Sequence, residues 1–148
     1  MTLAPLYVLD TDTLSRFRMG NVAIAERLLA TAPEQAAISV ITVEEQLSGW
    51  YIQLRQQQDD ARLAAVYERI VQTVALLGQF RLLTFDAAAI ARYRELQKLR
   101  LNIGKMDMRI GAIALTHGAT VVTSNVQDFA RIPGLSWEDW ATATTPPA

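Results

Sequence analysis

Asp10 and Asp12 close the segment YVLDTD, an apolar run that ends in two carboxylates one residue apart. Glu45 follows a second apolar run, Asp107 opens a stretch rich in small apolar residues, and Asp128 lies just past a third run, ATVVT. Two carboxylates about 4 Å apart repel by about 4 kcal/mol at an effective dielectric of about 20, so a group of them tends to hold a proton or a cation. Mg²⁺ or Mn²⁺ suits such a group, because both take hard oxygen ligands and leave positions open for water and phosphate. A site of that kind activates water and stabilises the oxygens of an in-line phosphoryl displacement. Phosphate-ester hydrolysis is the chemistry these acids point to.

Each acid also has a structural explanation. Thr42 to Glu45 reads TVEE, a capping box in which Thr42 caps a helix and Glu45 reaches back to the cap amide. Asp12 and Asp107 fit as N-caps, and Asn125 with Asp128 as a cap followed by a first-turn acid. Asp10 fits poorly as a cap, since it ends an apolar strand with Asp12 available two residues later. A buried carboxylate without partners is costly, and a cation is the natural compensation.

The elements that must position these acids follow from hydrophobic periodicity. Apolar, β-rich runs at 6–9, 36–41, 80–85 and 119–123 alternate with helical patterns at 13–19, 22–31, 43–57, 60–78, 87–101 and 107–117, and a fifth short strand is expected at 135–137. That alternation predicts an α/β fold, a mainly parallel sheet of four to five strands with helices on both faces. In the helix 60–78, Leu63, Val66, Ile70, Val74 and Leu77 make one apolar stripe. In an open parallel sheet, ligands bind outside the carboxyl ends of the strands, which gathers most of the acids at one edge. Asp107 joins them only if the loop NIGKMD returns the chain to that edge.

At 148 residues, 51% of them hydrophobic, the chain is expected to form one domain over 1–140, with 141–148 as a disordered tail. It has no cysteine and a single histidine, His117, which excludes thiolate and multi-histidine metal sites and fits a reducing cytoplasm. No apolar run reaches the roughly 18 residues of a membrane helix. A net charge of −1 argues against a general electrostatic nucleic-acid binder. Any nucleic acid needs local basic residues or bound cations, and the stretch 92–109 supplies Arg92, Arg94, Lys98, Arg100, Lys105 and Arg109 against only Glu95 and Asp107. Lys105, adjacent in sequence to the acids, is the first candidate for a nucleic-acid phosphate contact, with Arg100 and Arg109 beside it, the alternative being a solvated helix face.

The segments YVLDTDTLS, ISVITVEEQLSG and IGKMDMRIGAIALTHGATVVTSNVQDFARIPGL together resemble the PIN-domain family, specifically the toxin ribonucleases of VapBC-type toxin–antitoxin pairs. The resemblance covers nearly the whole chain apart from its tail. It implies an α/β/α sandwich that cleaves RNA with Mg²⁺ or Mn²⁺. Asp10, Glu45, Asp107 and Asp128 would hold the metal directly or through water and carry the catalysis. Thr11, Asp12, Ser15, Thr123 and Asn125 would orient carboxylates or water. Three positions depart from the family pattern. Asp12 stands where Asn is common, Gln46 separates the acid from Leu47 so that Glu45 is the better match and Glu44 its fallback, and Gly111 replaces a commoner Ala, which should loosen its helix by up to about 1 kcal/mol.

The same resemblance implies a cognate antitoxin that wraps the toxin and binds DNA through its own domain. The helix 60–78 and its neighbour with Trp50, Tyr51 and Leu54 offer an apolar surface for that antitoxin or for a homodimer. Two other readings compete. LDTDTL also resembles the first motif of haloacid-dehalogenase-type phosphatases, with Asp10 as nucleophile and Asp12 as proton donor, but the Ser/Thr-like VVTSN comes after Lys105 and Asp107 instead of before them. A noncatalytic PIN-like binding module is the third, and it gives no reason to keep mutually repelling carboxylates.

Overall fold

The structure is a computed structural model that describes residues 4–56 and 59–142. The chain runs β1 (Tyr7–Leu9), α1 (Thr11–Arg18), α2 (Val22–Leu29), a 3-10 turn (Pro33–Gln35), β2 (Ala36–Ser39), α3 (Val40–Gln56) and α4 (Asp60–Leu77). It continues with β3 (Arg81–Leu83), α5 (Ala87–Lys98), α6 (Lys105–Thr116), β4 (Thr120–Val122), α7 (Val126–Phe129) and β5 (Ser136–Glu138). The strands form one parallel sheet in the order β3-β2-β1-β4-β5.

Alternation along the strands divides the core between the two faces of the sheet. Val8, Ala37 and Val121 pack with α5 and α6, through Tyr93, Leu96, Ile110 and Ile113. Their neighbours Leu9, Ile38 and Val122 pack on the other side with Leu14 of α1, Ile24 of α2, Leu77 of α4 and Trp140. Such two-sided burial is why the strands read as continuous apolar runs. Each fully buried aliphatic side chain contributes about 1.5–3 kcal/mol, so the short central strands are fixed by packing.

The observed helix boundaries overturn most of the expected caps. α1 begins directly after β1, so the cap is Asp10, whose carboxylate accepts from the Thr13 amide at 2.9 Å, and Asp12 lies inside the first turn. α3 begins at Val40 and not at 43, with the Ser39 hydroxyl accepting from the Thr42 amide at 3.3 Å. This frees Thr42 and Glu45 from the expected capping box. Asp107 is the third residue of α6, which Gly104 precedes, and Asn125 precedes α7 without a side-chain cap bond. α5 stops at Lys98, because Arg100 and Asn102 take left-handed backbone conformations with φ of 51° and 57°.

The buried stripe of α4 also shifts. Thr73 turns inward, where its hydroxyl accepts from Trp50 Nε1 at 2.8 Å, and Val74 is exposed beside Tyr67 and Val71. A polar side chain with a partner thus takes the place expected for Val74. Gly111 does not serve to loosen α6. It is buried, and a Cβ there would stand 2.5 Å from Cδ1 of Ile132, so the glycine lets Ile132 seat against the helix. Trp140 is buried against Tyr7, while Trp137 lies in β5 and is partly exposed. Of the expected tail, Ala141 packs beside Trp140 and its amide donates to Asp139, whereas residues 143–148 lie outside the described residues.

Candidate active site

The sheet order reverses beside β1. Connections from β1 lead outward to β2 and β3, then the chain returns to β4 and β5 on the other side. A crevice opens outside the carboxyl ends of the strands at such a switch point. Asp10 directly follows β1, Thr123 directly follows β4, and the Asp10 amide donates to the Val122 carbonyl at 3.0 Å.

Asp10 is buried, 3% exposed, with its carboxylate held by the Thr13 amide and by the Thr123 hydroxyl. Desolvation pushes its pKa above the ordinary carboxylate range despite those hydrogen bonds. Thr123 also accepts the Asn125 amide at 2.8 Å, so one hydroxyl links the turn after β4 to the acid after β1.

Glu45 enters from α3, one helical turn past Thr42. Its Oε1 accepts the Thr11 hydroxyl at 2.6 Å, and the Thr11 and Thr42 hydroxyls are 3.0 Å apart. Glu44, the alternative acid, is exposed. Gln46 does not intrude on the acids: its Nε2 donates to Ser15 at 2.9 Å and ties α3 to α1. Ser15 thereby joins two helices through Gln46.

Asp107 arrives from the first turn of α6, as the returning loop allows. Its pKa is pushed up to about 6, first by desolvation, then by the charges of Asp10, Glu45 and Asp128, while a hydrogen bond from Asn125 opposes the rise. Asn125 Nδ2 donates both to Asp107 Oδ2 at 3.2 Å and to Asp128 Oδ2 at 3.0 Å. Asp128 Oδ1 meets Arg131 NH1 at 3.1 Å.

Other named residues stand apart from this group. Asp12 is exposed and paired with Arg16 at 3.0 Å on the surface of α1, and only its charge reaches the group, adding a little to the rise at Asp10. Arg109 lies with its guanidinium over Phe85 and Tyr93, 5.6 and 5.3 Å from the ring centroids, so it packs against α5. Lys105 is exposed at the first residue of α6, and Arg100 is exposed in the loop before it. His117 is the exposed C-cap of α6. Sequence reasoning missed Arg131, whose three-residue spacing from Asp128 is a readable pairing signal. It also gave Thr42 only a capping role.

The donor set fits a hard divalent cation. Asp10, Glu45 and Asp107 bring only oxygen, and among the described residues none of the three has a salt-bridge partner, whereas Asp128 does. Desolvation and mutual repulsion raise the proton affinity of Asp107, which is the imbalance a cation relieves. Among the described residues no three acids already stand close enough to hold an ion. Neutral donors, Thr11 on Glu45 and Asn125 on Asp107, hold the repelling carboxylates meanwhile.

A parallel five-stranded sandwich with acids at its switch point defines the class. The chain belongs to the PIN-domain family, whose model matches residues 7–135. It is similar to Ribonuclease VapC1 of Rickettsia felis, 32% identical across 86% of this chain and 91% of that one. It is also similar to the tRNA(fMet)-specific endonuclease VapC of Shigella flexneri, 31% identical across 70% of this chain and 74% of that one. Among solved structures, a chain of DNA-bound VapBC from Salmonella typhimurium is 27% identical, with a TM-score of 0.71 over 93% of this chain and 99% of that one. A chain of VapBC-1 from nontypeable Haemophilus influenzae is 26% identical, with a TM-score of 0.68 over 93% of this chain and 99% of its own length. Membership in the PIN family leaves no place for the haloacid-dehalogenase reading.

Proposed function

We propose that this chain is the toxin of a type II toxin–antitoxin pair, a Mg²⁺- or Mn²⁺-dependent endoribonuclease that hydrolyses RNA phosphodiester bonds. The observation that carries the reading is Asp107 at the sheet's carboxyl edge, its proton affinity raised by burial and by the charges of Asp10 and Glu45, with no basic partner on any of the three among the described residues. Relatives named as VapC ribonucleases support the substrate class, and neighbours titled as VapBC complexes, one bound to DNA, support an antitoxin partner that carries the DNA-binding function.

Asp10, Glu45 and Asp107 would hold the cation, which when bound lowers the pKa of water and neutralises charge on the scissile phosphate. Thr11 and Thr42 orient Glu45, Thr123 orients Asp10, and Asn125 orients Asp107. Lys105 would grip the RNA backbone. A lysine at the first residue of a helix is opposed by the helix dipole, so its charge there does not serve α6.

The antitoxin would cover the face built from α1, α3 and α4. Met19, Tyr51, Ile52, Tyr67, Val71 and Val74 are exposed there, and an open groove of about 500 Å³ runs between Phe17, Arg18, Arg69 and Leu76. Expression of the chain alone should arrest growth, expression of Asp10→Asn should not, and the cognate antitoxin should relieve the arrest and co-purify. Harmless expression with no co-purifying antitoxin would leave a free-standing PIN nuclease.

A further inference from the structure

We infer that Arg131 is a positioning residue that closes a ring of contacts around the first turn of α6 and thereby fixes Asp107. The ring can be followed atom by atom. Asp107 Oδ2 accepts Asn125 Nδ2, which also donates to Asp128 Oδ2. Asp128 Oδ1 accepts Arg131 NH1, and the same nitrogen donates to the Asn102 carbonyl at 3.1 Å. From Asn102 the chain passes through Gly104 into α6 and back to Asp107.

Two features show why the ring needs a strong clamp. Arg100 and Asn102 both hold positive φ, a conformation that L side chains disfavour, so the loop that delivers Asp107 does not keep its shape by local preference. α7 spans only Val126–Phe129, too few residues to fix Asp128 without outside contacts. Arg131 meets both needs with one guanidinium nitrogen, whose two protons reach the acid and the loop carbonyl.

The ring also separates Asp128 from the other three acids. Both of its oxygens receive donors and its charge is matched by Arg131, so it anchors Asn125 and is not required as a ligand. This last consequence rests on the metal-dependent reading, whereas the clamp on the loop stands without it.

Two measurements on the full chain test the inference. The first is Mn²⁺ affinity by calorimetry for the wild type, Arg131→Gln, Asp128→Asn and the double variant. Each single change should weaken binding by roughly 10-fold, and the double should be no weaker than the singles, because both cut the same ring. Arg131→Gln that binds Mn²⁺ as tightly as the wild type, or more tightly through a freed Asp128, overturns the inference. The second is amide hydrogen exchange in metal-free protein, which should quicken across residues 99–107 in Arg131→Gln while the β1 and β4 amides stay protected. Unchanged exchange across that segment also overturns it. A wild type that binds no Mn²⁺ sinks the metal reading, and exchange then decides the role of Arg131 by itself.

Discussion

Thr11 and Glu45, 34 residues apart in sequence, are joined by a 2.6 Å hydrogen bond from the first residue of α1 to the second turn of α3. The threonine donates its only hydroxyl proton to the acid, so at 3.0 Å the Thr42 hydroxyl is the donor and the Thr11 oxygen the acceptor. The bond fixes one oxygen of an acid whose charge reaches Asp107.

Thr11→Val keeps the β-branched shape and removes the donor. Cleavage activity should fall about 10-fold, with thermal stability nearly unchanged, while Thr11→Ser should retain most of the activity. Equal activity in all three proteins would make the hydrogen bond incidental to the reaction.

Asp107 gives a pH signature in metal-free protein. Its folded-state pKa of about 6 stands above the ordinary 3.8, so the stability it contributes is fully present below 3.8 and is lost as pH rises through 6. Asp107→Asn should therefore raise the melting temperature relative to wild type more at pH 7.5 than at pH 4.5. Mg²⁺ should raise the melting temperature of the wild type at pH 7.5 and not that of the variant. A variant equally shifted at both pH values would show that Asp107 is not strained by its neighbours.

Gly111 and Ile132 should be energetically coupled. Gly111→Ala gains helix propensity but drives its methyl into Ile132 Cδ1, the atom that Ile132→Val deletes. A double-mutant cycle by chemical denaturation should return a favourable coupling of about 1 kcal/mol. Additive effects would mean that Ile132 can move aside freely.

Lys105→Ala should weaken RNA binding and reduce the salt slope by about 0.7, one single-strand phosphate contact, without altering Mn²⁺ affinity. An unchanged slope with full activity would return Lys105 to an ordinary solvated position.

The sequence carried the architecture because its signals are local. Val8, Ile38 and Val121 sit in runs whose composition reports two-sided burial, and Asp10 betrays the strand end by breaking one. The family pattern favours Glu45 with Glu44 as fallback, and what tells them apart in space is α3 phasing, which depends on where Ser39 starts the helix. Arg109 looked like part of a basic stripe because charge is visible in sequence, whereas its stacking on Phe85 and Tyr93 depends on the angle at which α5 meets α6. The Arg131 contact with Asn102 spans 29 residues and a left-handed turn that no side-chain pattern announces.

The most direct test of metal-dependent RNA cleavage is to incubate the purified chain with single-stranded RNA and Mg²⁺ or Mn²⁺, with and without EDTA, beside Asp10→Asn. Asn keeps an oxygen to accept the Thr13 amide, so that variant should fold with α1 capped while losing the charge that holds the cation. RNA should be cut internally by the wild type, left intact in EDTA, and left intact by Asp10→Asn. Cutting that persists in EDTA or in folded Asp10→Asn, or RNA binding with no cutting under any metal condition, would contradict a metal-dependent ribonuclease.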